Sequence, residues 1–159
     1  MRKIIAGIEI VGGILVLIMF ILQIGMMLGL ESSHGSTITF TPWSLSFILQ
    51  ASIPLIFGLI NIIAGITLWK NKKVGYKLSI ITQLIQLVSI QTPNFYAYCY
   101  SLFGCIYAFS ITGVKSLYAF GFGYRISFNP QPVTTTFIGI NIVALVLLVL
   151  IIVLFRKKS

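Results

Sequence analysis

The placement of the basic residues constrains this chain more than any other feature. It has eleven lysines and arginines. Nine of them, Arg2, Lys3, Lys70, Lys72, Lys73, Lys77, Arg156, Lys157 and Lys158, lie against the ends of long apolar runs; only Lys115 and Arg125 stand apart. Basic residues beside a membrane span are retained on the cytoplasmic side. The pattern predicts an all-α transmembrane four-helix bundle in a cell (plasma or inner) membrane, with both termini cytoplasmic. Its spans are expected at 4–30, 45–69, 75–91 and 133–155, within a single domain covering 1–159.

Composition agrees with a membrane solvent. Apolar residues make up 58% of the chain and charged residues 8%, whereas soluble domains carry about a quarter charged residues. A net charge of +9 would point to nucleic acid in a soluble protein, but here it is topological, and no aromatic RNA-binding pattern accompanies it. The partners expected are membrane lipid, with anionic headgroups at the cytoplasmic face attracted by about 1 kcal/mol per cation, and a partner protein or a second copy of the chain. Arg2 and Lys3 resemble a signal-peptide n-region. The apolar run behind them is too long for an h-region and lacks a small-x-small cleavage site, so a retained span is expected.

Two outer loops follow, 31–44 and 92–132. The second is apolar enough to tempt a fifth span at 95–112, but a fifth crossing would carry Arg156, Lys157 and Lys158 outside, against the charge rule. Its pattern is also that of a strand. Tyr118, Phe120, Phe122, Tyr124, Ile126 and Phe128 alternate with Ala119, Gly121, Gly123, Arg125 and Ser127, which predicts a strand with one aromatic and one small or polar face. Tyr96, Tyr98, Tyr100 and Leu102 alternate similarly, and 106–111 reads as a third strand. Residues 37–41 of the first loop read as an edge strand. Open sheet edges are not satisfied in hydrocarbon, so the expectation is a small extracytoplasmic antiparallel β-sheet of three or four strands standing above the bilayer.

Few residues carry chemistry. Glu9 is the one acid inside a span, and an intramembrane ionisable group is a functional hypothesis by default. Counted from the cytoplasmic ends, Glu9, Asn61 and Gln83 fall at one depth and Gln86 one turn further out, a polar layer able to hold a proton or cation or to act as interhelical glue. Gln23, Gln50 and Asn141 make a second, outer level. Gly25 and Gly29 form a GxxxG match, and Gly58, Asn61 and Gly65 share a face of the second span; packing within the monomer is the expected use of both. Cys99 and Cys105 both fall in the outer loop, where a hairpin turning near 102–104 would bring them opposite each other, as a disulfide or as two free buried thiols. His34 beside Glu31 supplies too few ligands for a metal, and with no Asp in the chain acid–base hydrolysis lacks its residues. No cofactor motif is present.

Three functions stay open. The leading one is a non-enzymatic interaction or scaffold subunit that presents the aromatic face of Tyr118, Phe120, Phe122, Tyr124 and Phe128. The others are a small carrier or channel component using the Glu9 layer, and a membrane thiol redox protein using Cys99 and Cys105.

Overall fold

The structure, a computed structural model, describes residues 1–29, 45–92, 95–99, 104–111, 116–121, 124–128 and 136–157. Within them lie four helices and one antiparallel sheet, an α+β architecture. The first helix, α1 (Arg2–Gly29), is an uninterrupted apolar run. The second, α2 (Leu45–Trp69), contains Pro54. Both hold windows long and apolar enough to cross a membrane, Arg2–Leu22 and Ser52–Trp69. They pack antiparallel against each other, Ala6 beside Gly65 and Gly13 beside Gly58.

Small residues make that contact close. A Cβ added at Gly13 would sit 2.7 Å from the Gly58 carbonyl oxygen, and one at Gly65 would sit 2.7 Å from the Ala6 carbonyl oxygen. No side chain fits at either place, so the backbones meet directly, as small residues permit between membrane helices. Gly58 and Gly65 are therefore used within the monomer, as the sequence predicts. At Gly25, among the described residues, nothing lies within 4 Å of where its Cβ would be.

The helix α2 ends in a tight turn that the sequence dictates locally. Asn71 is left-handed, with φ of 57°. Its N–H bonds the Leu68 carbonyl at 2.9 Å, and the next N–H, of Lys72, bonds the Thr67 carbonyl at 3.0 Å. This is the Schellman pattern, with Asn in the position usually given to Gly. The following helix, α3 (Lys73–Leu87), starts so close behind that a Cβ at Gly75 would enter the Thr67–Leu68 backbone. Tyr76 fastens the corner: its hydroxyl donates to Asn71 Oδ1 at 3.0 Å, and its ring lies 5.7 Å from that of Phe155. Ile5, Ala6, Leu68, Tyr76 and Ile151 form the core of this end of the bundle.

The helix α3 stops four residues short of the expected span end. The chain passes directly into β1 (Val88–Thr92), followed by β2 (Phe95–Cys99), β3 (Gly104–Ser110), β4 (Ser116–Gly121), β5 (Tyr124–Phe128) and β6 (Phe137–Asn141). The last strand then runs without a break into α4 (Ile142–Arg156). The expected spans 75–91 and 133–155 are thus each part strand and part helix. Their outer residues, Val88, Ile90, Ile138 and Ile140, are β-branched and apolar, a composition that serves a strand and passes equally for membrane helix. Asn141 marks the second boundary. Its Oδ1 accepts from the N–H groups of Val143 (3.1 Å) and Ala144 (3.5 Å), which makes it the N-cap of α4, and also from Cys105 N–H of β3 (3.3 Å).

The sheet has six strands rather than three or four, in the order β4-β3-β6-β1-β2-β5. The stretch 116–128, read above as one strand, is divided: β4 and β5 are the two edges of the sheet. Gly121 pairs with Gly104 and Tyr124 with Cys99, both at the end facing the helices. Three Cα steps separate Gly121 from Tyr124, a reach of at most about 11 Å, whereas six flat strands would hold their edges about 24 Å apart. The sheet is therefore curled. Its buried side carries Ser89, Ile106, Ala108, Gly139 and Asn141. There Gly139 has no room for a side chain, because Ser89, Ile106 and Ala108 close over it. The edge strand expected at 37–41 lies outside the described residues.

Candidate functional site

The bundle is built with its polar residues inward. The buried positions of α3 are Gly75, Tyr76, Ser79, Thr82, Gln83 and Gln86. Its Val74, Ile81, Leu84 and Ile85 are half exposed or more. The face that water would be expected to solvate is thus enclosed, and the apolar face is outside. Across from it, α1 buries Ile5, Ala6, Glu9 and Val16 while exposing Val11, Ile14, Leu15, Ile18 and Met19.

The glycine contacts set the level of each polar side chain. Ala6 lies against Gly65 and Gly13 against Gly58, so in this antiparallel pair Glu9 falls opposite Ile62, beside Asn61. Likewise Gly75 against Thr67 and Leu68 brings Ser79, Thr82 and Gln83 to the same height. The structure brings Glu9, Asn61 and Gln83 to one level with Gln86 a turn further out, and all four are buried.

Glu9 is wholly enclosed, with an exposure of 0%. Ser79 Oγ–H donates to its Oε2 at 2.7 Å, and the Gln83 amide neighbours the carboxyl without reaching hydrogen-bond geometry. The other oxygen, Oε1, has no partner, and neither do Asn61 Oδ1, Gln83 Oε1 or Gln83 Nε2. Asn61 turns its Nδ2–H to the Phe57 carbonyl of its own helix at 3.1 Å, and Thr82 its hydroxyl to the Ser79 carbonyl at 3.0 Å. The level therefore holds three oxygen acceptors, one of them a carboxylate, with lone pairs unfilled. Buried polar atoms are almost always bonded, and an uncompensated ion costs several kcal/mol. Protonation of Glu9, or a small cation bound at its free oxygen, removes the cost of the buried charge.

Ser79 and Thr82 escape a reading based on amides and charges, because helical Ser and Thr usually bond their own backbone. The signal available was spacing. Ser79, Thr82, Gln83, Gln86 and Ser89 recur at three- and four-residue intervals, which marks one face of a helix.

The remaining candidates are placed differently. Cys99 lies on β2 and Cys105 on β3, with β1 and β6 between those strands. Three strand spacings make about 14 Å, beyond the Cα separation that a disulfide bridges, and Cys105 is a free thiol. The expected hairpin around 102–104 is not the pairing formed; β2 instead pairs with β1 and β5. In the aromatic stretch, Tyr118 is registered with Tyr107, Phe120 with Cys105, Tyr124 with Cys99 and Phe128 with Phe95. Phe122, Glu31 and His34 lie outside the described residues, as do the side chains of Gln23 and Gln50. Asn141 is the cap described above rather than a mid-helix polar group. Comparison with models of protein families, with curated proteins and with solved structures gives no match.

Proposed function

We propose that the chain is a four-span integral membrane protein, termini cytoplasmic, whose bundle binds a proton or a small monovalent cation at Glu9 and works as a small carrier or channel component. One observation carries this reading: a fully buried carboxylate, bonded on one oxygen by Ser79, sits level with unfilled amide oxygens inside a bundle that exposes its apolar side chains. Such an inversion is what lipid as solvent demands, and ionisable groups in that setting line ion and proton pathways. Amide and carboxyl oxygens suit hard cations. In this role Glu9 supplies the charge, Ser79 orients its Oε2, and Asn61 and Gln83 offer neutral oxygens to the bound ion or proton.

The interaction reading rests on Tyr118, Phe120, Phe122, Tyr124 and Phe128, whose side chains lie outside the described residues. The thiol reading loses its pair, since Cys99 and Cys105 stand on non-adjacent strands. The test is flux in liposomes holding the purified protein, read with a pH-sensitive dye and with radioactive sodium and rubidium. The protein should dissipate a proton or cation gradient faster than empty liposomes. Glu9→Gln should slow that by about tenfold or more, since a lost charged hydrogen bond is worth at least 1.4 kcal/mol, with helix content unchanged. Flux in Glu9→Gln equal to the parent, or a parent equal to empty liposomes, would overturn the proposal.

A further inference from the structure

We propose that the helix-facing half of the sheet's exposed face lies within the outer leaflet against lipid acyl chains, so that the sheet continues the lipid-facing wall of α3 and α4. The inference rests on the membrane reading above.

Both α3 and α4 have 15 residues, about 22 Å of helix, against about 30 Å of hydrocarbon. No residue intervenes between α3 and β1 or between β6 and α4. Whatever completes the crossing on this side of the bundle is strand. From Val74 up α3 and on to Ile90 of β1 the path measures about 30 Å, and just beyond Ile90 the chain turns polar at Gln91 and Thr92.

The exposed apolar surface is continuous from helix to strand. Val74, Ile81, Leu84 and Ile85 of α3 are followed by Val88 (45% exposed) and Ile90; Val153, Val149, Val146 and Ile142 of α4 are followed by Ile140. The register extends the wall sideways. Val88, Ile140 and Tyr107 form one row and Ile90, Ile138 and Phe109 the next, and Tyr107 and Phe109 are themselves exposed. The opposite face holds Ser89, Gly139 and Ala108, all buried. Apolar outside and small or polar inside is the alternation of a sheet surrounded by lipid.

A flat sheet must stand clear of hydrocarbon because its edges are unsatisfied there, and that reasoning led the sequence to place this one in water. The unpaired edges belong to β4 and β5, not to the strands that carry the exposed apolar rows. The strands joined to the helices, β1 and β6, are interior and paired on both sides.

Spin labels attached one at a time to cysteines at Lys72, Ile81, Phe109, Ile111 and Ile140, in a Cys99→Ser, Cys105→Ser chain in phosphatidylcholine–phosphatidylglycerol bilayers, decide the matter. All five sites are exposed, so a label requires no repacking. Collision with oxygen should dominate at Ile81, Ile140 and Phe109, with water-soluble nickel chelate gaining at Ile111 and dominating at Lys72. Nickel-dominated labels at Ile140 and Phe109 beside an oxygen-dominated Ile81 overturn this inference and leave the membrane reading intact. Labels at Ile140 and Phe109 shielded from both agents overturn it in favour of a protein covering. A nickel-dominated Ile81 overturns both readings.

Discussion

The two halves of the bundle reach the same end by different means. The α1–α2 pair is made of helices of 28 and 25 residues, about 42 and 38 Å long, joined by glycines that let backbone touch backbone. The α3–α4 pair is made of helices of 15 residues each that hand over to strands. The first pair is long and apolar enough to cross a membrane as helix alone. The second gives up helix where Ser89, Gly139 and Asn141 break the apolar run, and its backbone bonds pass to a sheet. The polar contents differ too: α1 and α2 contribute one buried polar side chain each at the Glu9 level, whereas α3 contributes a whole face. The long pair acts as a scaffold that holds a carboxylate against the short, polar one.

The largest effect that would break this comparison is expected in the glycine seam. Gly65→Leu must displace the Ala6 carbonyl and should cost about 3 kcal/mol in thermal unfolding in detergent. Gly25→Leu, placed where no atom is near, should stay within about 0.5 kcal/mol. Equal losses in the two variants would show that Gly25 is packed against something, a second copy of the chain first of all.

A smaller effect sharpens the strand-to-helix boundary. Asn141→Ala removes the cap of α4 and the tie to Cys105 and should cost about 1–2 kcal/mol, which is several degrees in melting temperature for a chain of this size. If residues 133–155 formed one continuous helix, the same change would delete a polar group from its middle and raise the melting temperature. The sign alone separates the two.

Legibility in the sequence followed the physics of each signal. Charge and glycine act locally, so the Lys70–Lys73 turn and the near side of every helix were readable from the chain. The shared level of Glu9, Asn61 and Gln83 followed from helical rise counted from those charges. The outer ends were not readable. Val88–Thr92 and Phe137–Asn141 are five residues each, too short for period two to stand out from an apolar helix. Alternation in 116–128 revealed which residues share a face but not which strands lie beside them, because partners are chosen by tertiary packing. That is why one expected strand became the two opposite edges of the sheet, and why Cys99 and Cys105 were expected together.

The central claim is that the basic turn between α2 and α3 and the β1–β2 hairpin lie on opposite sides of a membrane. Cysteines placed singly at Lys72 and Thr92, in the Cys99→Ser, Cys105→Ser chain, and labelled with a membrane-impermeant maleimide in intact expressing cells test it directly. The account predicts labelling at Thr92 in intact cells and at Lys72 only after the membrane is opened. Labelling of both positions in intact cells, or of Lys72 alone, would contradict it.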